Sequence, residues 1–330
     1  MDLSTEYLGL RLSHPLVAGA SPLSDDLDGV RRLEDAGAAA IVLRSLFEEQ
    51  ITQEQMSEYM NLDFPGESFA EAISYFPSPK AFALGPVQYL EHVRRAKEAV
   101  GIPIVASLNG ATPGGWIEYA RLMAQAGADA LELNLYRIST DPGTSSADIE
   151  RQSIDTVLAV KQSVTIPVAV KLSPFYAAFA HFAGALDRTG ADGLVLFNRF
   201  YQPDIDPEAL AATRTLHLSD SSELRLRLHW LAILSGRVKA SLAVTGGVHT
   251  ALDVVKATMT GAHVTQMVSA LLRHGPAHLH TVLKDLAVWM DEHEWDSLGT
   301  MRGNMSLAKV PDPDAYERAN YMLMLQGWRV

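Results

Sequence analysis

The chain has 330 residues, a net charge of −12, 48% hydrophobic residues and no cysteine. The charge argues against nucleic acid or an anionic membrane surface as the main partner, and the missing cysteines exclude disulfides, thiolate metal sites and a cysteine nucleophile. There is no apolar run of about 18 residues and no export signal, so we expect no membrane span and a cytoplasmic location.

A short motif recurs four times along the chain: a helix end, a Gly-Ala pair and an apolar run. The copies lie at residues 36–43, 126–134, 189–198 and 260–267. Glycine just after a helix supplies the left-handed C-cap that turns the chain into the next strand. Strands alternating with helices in this way predict parallel strands, and the repetition predicts a (β/α)8 TIM barrel.

The predicted barrel strands are, in chain order, 16–21, 41–44, 103–108, 130–135, 167–172, 193–198, 242–245 and 263–267. The predicted helices are about 26–36, 88–99, one opening at Thr112-Pro113, 146–163, 176–188, 222–235, 250–259 and 276–291. Segments 45–87 and 199–221 are insertions after strands two and six, because they exceed the usual loop lengths. We predict a single domain over 1–330, with the barrel at about 14–291. A C-terminal extension, 292–330, folds over the barrel or pairs with another subunit.

The residues at the carboxyl ends of the predicted strands form the candidate site, because barrel enzymes work at that face. They are Ala20, Ser21, Arg44, Ser45, Asn109, Asn134, Lys171, Asn198, Thr245, Gly246, Gly247, Val268 and Ser269. Asparagine is a poor strand residue, so three of them at one face favour binding of a planar polar ligand. The alternative is that each asparagine only terminates its strand through local hydrogen bonds.

Lys171 and the Gly246-Gly247 pair give this face an anion-binding character. A lysine that ends a very apolar strand is costly unless an anion meets it, either a ligand or a structural ion-pair partner. The two glycines allow close backbone approach to a phosphate, and the following helix start is expected to add N–H groups. The sequence carries no convincing metal site and no G-x-G-x-x-G after a strand.

Five stretches make the chain resemble the dihydroorotate dehydrogenase family of FMN barrels, over roughly residues 3–290. They are 14–21, 132–135, 170–174, 245–248 and 269–271. The resemblance implies FMN as cofactor, backbone contacts to the flavin from Ala20 and Ser21, and further flavin contacts from Ser45 and Thr245. It places Lys171 near the N1–C2 carbonyl end of the flavin.

The resemblance also assigns the remaining candidate residues. It implies that Asn109, Asn134 and Asn198 hold the flavin or a pyrimidine substrate. It implies that Gly246, Gly247, Val268 and Ser269 hold the phosphate.

Two positions depart from the family pattern. Arg137 stands where the family has a cysteine or serine base on a loop, and arginine does not lose a proton at usable pH. Ser139 or Thr140 then replaces it only if the loop shifts register, and we take Ser139 as the candidate base. Arg44 stands where many members have a lysine that touches flavin and substrate, and an arginine there favours bidentate binding of a carboxylate.

The sequence thus predicts an FMN-dependent oxidoreductase. It would transfer a hydride between flavin N5 and a CH–CH bond next to a carbonyl, with dihydroorotate or a related dihydropyrimidine as substrate, in pyrimidine biosynthesis. Lys171, Ser139 and Arg44 are the expected catalytic residues. The resemblance implies a homodimer. We also expect a separate electron-transfer partner, since no cysteine is present to hold an iron–sulfur relay. The alternatives are a flavin-binding homologue without dihydroorotate activity and a phosphate-binding lyase or isomerase that uses Lys171.

Overall fold

The computed structural model describes residues 1–50, 85–110 and 113–327. Its strands are β1 (Thr5–Tyr7), β2 (Leu10–Leu12), β3 (Leu16–Ala18), β4 (Ile41–Val42), β5 (Leu46–Phe47), β6 (Ile104–Asn109), β7 (Ala130–Asn134), β8 (Val168–Leu172), β9 (Gly193–Leu196), β10 (Asp204–Asp206), β11 (Ala211–Thr213), β12 (Ser241–Thr245) and β13 (Val264–Met267).

The helices alternate with these strands. They are α1 (Leu27–Asp35), α2 (Pro86–Ala99), α3 (Pro113–Gln125), α4 (Ser146–Ser163), α5 (Phe179–Arg188), α6 (Leu224–Leu234), α7 (Ala251–Thr260), α8 (Ser269–His274), α9 (His278–Glu292), α10 (Leu298–Met301) and α11 (Arg318–Gly327). None of these helices is long and apolar enough to cross a bilayer.

Eight parallel strands close into a barrel, which confirms the predicted TIM-barrel fold. The order around the ring is β3, β4, β6, β7, β8, β9, β12 and β13, and β13 pairs again with β3. The short strand β5 continues the line of β4 and pairs with the end of β6. The four repeat glycines, Gly37, Gly127, Gly190 and Gly261, all have positive φ between 87° and 123°, as the predicted C-caps require.

Most predicted boundaries lie within three residues of the observed ones, and α4 matches its predicted range of 146–163. The first barrel strand was predicted to residue 21 but ends at Ala18, and the helix predicted from 176 begins at Phe179. The prediction missed β1–β2, β10–β11 and α8. The predicted cap Thr112 and positions 51–84 of the first insertion lie outside the described residues.

One layer of the barrel interior contains a small apolar side chain from each of the eight strands. Its members are Val17, Val42, Val105, Ala130, Ala169, Val195, Ala243 and Val264. The β1–β2 hairpin covers this layer, with Tyr7, Leu8 and Leu12 packed against it. Because strand side chains alternate between the two faces, the residues two positions further along each strand also point inward, toward the carboxyl ends.

The first part of the C-terminal extension packs on the barrel helices. Leu298 and Met301 of α10 are fully buried. The Met305 amide donates to the Met259 carbonyl at 2.8 Å, and the Leu307 amide donates to the Ala232 carbonyl at 3.0 Å. By contrast, α11 has no buried residue. The extension therefore folds over the barrel helices as far as about residue 316, where the Tyr316 hydroxyl donates to the Met305 carbonyl and the Tyr316 ring lies 6.1 Å from His229 of α6.

Candidate functional site

A cavity of about 430 Å³ opens at the carboxyl ends of the barrel strands. Twelve of the residues predicted from the sequence line it: Ala20, Ser21, Arg44, Ser45, Asn109, Asn134, Lys171, Asn198, Thr245, Gly246, Val268 and Ser269. Gly247 and Ser139 are not among the lining residues. The volume lies within the usual range of small-molecule sites, about 300–1,000 Å³.

The strand register explains why residues distant in sequence meet at this cavity. Asn109 of β6 is in register with Asn134 of β7, and Asn134 is in register with Lys171 of β8. The Asn198 side-chain amide donates to Asn134 Oδ1 at 3.0 Å. These asparagine side chains therefore interact across strands, and the local strand-terminating interpretation does not describe that contact.

Lys171 forms an ion pair inside the barrel. Its Nζ lies 3.1 Å from Glu132 Oε1, and the two side chains are only 7% and 1% exposed. Glu132 Oε2 accepts a hydrogen bond from Gln266 Nε2 at 2.6 Å. The ion-pair alternative for Lys171 is therefore realised, and the same lysine also lines the cavity. A protonated, paired ammonium is fixed in place by the barrel interior.

The carboxylate also affects the phenol at the covered end of the barrel. Burial raises the pKa of Tyr7 well above its usual value, and the Glu132 charge raises it further. The Tyr7 hydroxyl and Gln266 Oε1 are both buried and lack a partner within hydrogen-bond distance. Tyr7 therefore stays a neutral phenol below the ion pair.

Gly246 and Gly247 form the turn after β12 with φ of 82° and 83°. The turn is covered by Ser219, from the second insertion. Its Oγ accepts from the Gly247 amide at 3.2 Å, and its own amide donates to Ser269 Oγ at 3.1 Å. In this arrangement the Gly247 amide faces Ser219, while Gly246 and Ser269 line the cavity.

The start of α7 supplies fewer N–H groups than the sequence led us to expect, because Asp253 and Thr250 accept several of them. The Asp253 carboxylate accepts from the amides of His249 and Thr250 at 3.0 and 2.9 Å, and Thr250 Oγ1 accepts from the Asp253 amide at 3.3 Å. An acid at the third helical position caps the helix from within. The sequence argument did not weigh this internal competitor for the amides.

Two further arginines line the cavity beside the glycine turn. Arg227 of α6 is 5% exposed, and its guanidinium donates to the carbonyls of Thr245 and Glu223. Arg199 Nη2 lies 3.3 Å from Glu223 Oε1, and Arg199 Nη1 is buried without a partner. Burial lowers the pKa of Arg227 to about 10. Arg227 therefore remains cationic at neutral pH.

Arg44 also lines the cavity, and its Nη1 lies 2.7 Å from Asp25 Oδ2. The ion pair orients Arg44 and neutralises much of its charge. A carboxylate ligand would therefore compete with Asp25 for this guanidinium.

The loop after β7 does not bring the predicted base to the cavity. Ser139 and Thr140 are exposed, and Arg137 is exposed with its guanidinium bonded to the Gln152 side chain. Tyr136 lines the cavity instead, and its hydroxyl accepts from the Tyr201 amide at 3.4 Å. Ser139 would reach a bound ligand only if this loop moved.

Sequence reasoning missed Glu132, Gln266 and Arg227. The first was detectable, because Asn134 points inward and a residue two positions earlier on the same strand must do so too. Arg227 also left a signal, since Leu224, Arg227 and Leu231 follow helical spacing on one buried face of α6. Gln266 precedes the predicted Val268 by two residues on the line of β13.

The donor set fits a flavin mononucleotide. The inner part of the cavity has asparagine amides and a fixed ammonium, which suit a flat ring with alternating carbonyl and N–H groups. The outer part has Gly246, the buried Arg227 and the partly buried Arg199, which has an unpartnered nitrogen, and this set suits a phosphate. In the part of the chain that the structure describes, no group of three or more histidine or acidic side chains could hold a metal ion.

Comparisons with known proteins agree with this chemistry. The family model described as dihydroorotate dehydrogenase matches residues 84–290. The chain is 26% identical over 314 residues to the catalytic subunit of dihydroorotate dehydrogenase B (NAD(+)) from Thermoplasma acidophilum, covering 92% of this chain and 98% of that protein. It is 25% identical over 298 residues to a putative dihydroorotate dehydrogenase A (fumarate) from Aeropyrum pernix, covering 88% and 94%.

A third relative carries a different substrate in its name. The chain is 23% identical over 336 residues to the NAD-dependent dihydropyrimidine dehydrogenase subunit PreA of Escherichia coli K12, covering 95% of this chain and 79% of that protein.

Proposed function

The chain belongs to the dihydroorotate dehydrogenase family, and on that premise we propose that it is an FMN-dependent dehydrogenase whose substrate is dihydroorotate or a related dihydropyrimidine. The observation that carries the proposal is the cavity at the strand ends, where Lys171, three asparagines and Gly246 converge. Bound FMN would exchange a hydride with a carbon–carbon bond next to a carbonyl group.

Each part of the cavity has an assigned role. Lys171, held by Glu132, keeps a positive charge beside the ring, which offsets the negative charge of a reduced ring. Asn109, Asn134 and Asn198 orient the ring or the substrate through their amides. The backbone at Ala20 and Ser21, with Ser45 and Thr245, contacts the flavin, and Gly246, Val268 and Ser269 hold the phosphate. Gly247, whose amide donates to Ser219 Oγ, shapes the turn that presents Gly246.

The substrate end is less typical of the family. Arg44 is the candidate for a substrate carboxylate, in competition with Asp25. Ser139 remains the candidate base, and the exposed position of its loop requires a movement before it can take a proton. This placement also favours the second candidate function, a flavin-binding homologue that does not oxidise dihydroorotate. The ion pair with Glu132 argues against Lys171 as a Schiff-base amine, because an amine nucleophile must be unprotonated.

We also propose a separate electron-transfer partner. Two of the relatives are named as subunits, and the chain has no cysteine for its own iron–sulfur relay. The relatives' names include both NAD and fumarate, so the electron acceptor does not follow from similarity. A homodimer, a cytoplasmic location and a place in pyrimidine biosynthesis belong to the same proposal.

The proposal is tested by an anaerobic titration of the purified protein. We expect a yellow protein whose flavin absorbance bleaches on addition of dihydroorotate or another dihydropyrimidine. Lys171→Ala should bind flavin and lose substrate-dependent reduction, and unchanged reduction kinetics would rule out the role given to Lys171. A yellow protein that no dihydropyrimidine bleaches, and that no oxidised pyrimidine reoxidises after chemical reduction, would favour the second candidate. A protein without affinity for flavin would overturn both.

A further inference from the structure

The wall of the cavity beside Gly246 contains two guanidinium groups whose hydrogen-bonding capacity is not used up. Arg227 donates through Nε and Nη1 to backbone carbonyls, and among the described residues its Nη2 has no hydrogen-bond partner. That same Nη2 would lie 2.5 Å from a Cβ atom built on Gly246. The free nitrogen therefore sits directly against the turn after β12.

Arg199 adds a second buried donor from the opposite side of Glu223. Its Nη1 is buried without a partner, while its Nη2 contacts the Glu223 carboxylate at 3.3 Å. The Glu223 backbone carbonyl also accepts a hydrogen bond from Arg227 Nη1 at 2.6 Å. Glu223 therefore contacts Arg199 through its carboxylate and Arg227 through its backbone, and two cations with one carboxylate leave the cluster a net positive charge of about one.

The buried, unpartnered Arg199 Nη1 leaves this partly buried cluster incomplete without an anion. An unsatisfied buried donor costs about 1–3 kcal/mol, and more when it is charged. Burial and the neighbouring Arg199 lower the pKa of Arg227 to about 10, with Glu223 opposing the shift, so Arg227 still carries its charge at neutral pH. The cluster therefore requires a ligand that carries negative charge and oxygen atoms that accept hydrogen bonds.

The position of the cluster identifies which anion it suits. Arg227 contacts the turn after β12, whereas the Asn109 and Asn134 amides end β6 and β7, on the far side of β9 and β8. A substrate carboxylate bound near those amides is therefore not the group that meets Arg227. A phosphate monoester at Gly246 and Ser269 would be, since planar guanidinium groups match phosphate oxygens.

We propose that Arg227, with Arg199, is a side-chain anchor for the phosphate of the bound flavin mononucleotide, in addition to the main-chain donors of the glycine turn. This inference rests on the proposed function, because it presumes that the cavity binds FMN. It makes a specific claim about discrimination: the two arginines favour FMN over riboflavin, which has the same ring and lacks the phosphate.

The test compares the dissociation constants of FMN and riboflavin for apoprotein variants, measured by quenching of flavin fluorescence. Arg227→Gln should weaken FMN binding by about 10- to 100-fold, as expected for the loss of a charged hydrogen bond, and leave riboflavin binding within about twofold. Arg199→Gln should weaken FMN binding by a smaller factor, because Arg199 is more exposed. Arg225→Gln is the matched control, since Arg225 lies on α6 but is exposed.

Each outcome decides the proposal. Equal losses for FMN and riboflavin would mean that the arginines only support the structure, and unchanged FMN binding in both variants would mean that they do not meet the phosphate. Should Arg227→Gln fail to fold, Arg199→Gln carries the same comparison, with riboflavin binding as the check that the site is intact. A wild-type protein that binds both flavins equally would overturn the anchor alone, and one that binds neither would overturn the proposed function as well.

Discussion

The buried ion pair between Lys171 and Glu132 yields a quantitative prediction about stability. The two side chains are almost fully enclosed, and Glu132 has Gln266 as its other hydrogen-bond partner. In Lys171→Met the carboxylate keeps the Gln266 contact but loses its counter-charge. Removing one partner of a buried pair typically destabilises a protein by about 3–5 kcal/mol, because an uncompensated charge remains in the interior.

The double variant Lys171→Met/Glu132→Gln should be more stable than Lys171→Met alone. It removes both charges while keeping nearly the same side-chain volumes. An amide at 132 can also still bond to Gln266, whose Oε1 has no partner in the wild type. We therefore expect a coupling free energy of about 2 kcal/mol or more between the two positions, within the range known for residues in contact.

The free energy of unfolding would be measured for the wild type, Lys171→Met, Glu132→Gln and the double variant by urea denaturation at pH 7, with tryptophan fluorescence as the signal. Arg94→Met is a suitable control, because Arg94 pairs with Glu91 and Glu98 on an exposed helix face, where solvent screens the charges and the loss should change the free energy of unfolding far less. Additive effects, with coupling below about 0.5 kcal/mol, would refute the buried pair.

Three further predictions concern pH, the glycine turn and the loop base. Burial lowers the pKa of His263 to about 4, so the unfolded chain binds more protons between pH 4 and 6.5 and stability falls as the pH drops through that window. The free energy of unfolding should decrease by about 2 kcal/mol from pH 6.5 to pH 5, at about 1.4 kcal/mol per pKa unit. In His263→Asn, whose side chain can still accept from the Leu242 amide, urea denaturation at the two pH values should lack this part of the decrease. Gly246→Ala should lower the free energy of unfolding by about 1–3 kcal/mol and weaken FMN binding, because φ at Gly246 is 82° and the new Cβ would meet Arg227. Gly115→Ala is the control, because a Cβ there would have no atom within 4 Å. Thermal melts and flavin titrations would show no loss of stability or binding in that control. Ser139→Ala should slow substrate-dependent bleaching of the flavin in stopped-flow measurements, and wild-type rates would remove Ser139 as the base.

Much of the architecture is encoded locally. The Gly-Ala pairs and the apolar runs each reflect the conformational preference of a few adjacent residues. A parallel βα repeat also has few ways to bury both faces of its sheet. The barrel and nearly all of its strands could therefore be predicted. The same reasoning located the site, because the carboxyl ends of all barrel strands meet at one face.

The errors arose where an outcome depended on competition between distant or alternative partners. The N-terminal hairpin was missed, although Tyr7 and Leu8 cover the barrel, because strands of three residues carry little pattern. The start of α7 was expected to contribute N–H groups to a phosphate, and the Asp253 carboxylate accepts those of His249 and Thr250.

What the sequence determined by itself is the fold and the face at which the candidate residues gather, since both follow from the alternation of strands and helices. Only the tertiary structure decided the partners of the charged groups. Lys171 faces Glu132, 39 positions earlier, and Arg227 lies against Gly246, because the closing of the barrel sets which side chains share one small volume. The physical reason is that a buried charge is governed by the few groups within about 4 Å of it, and those distances arise from packing of the whole chain.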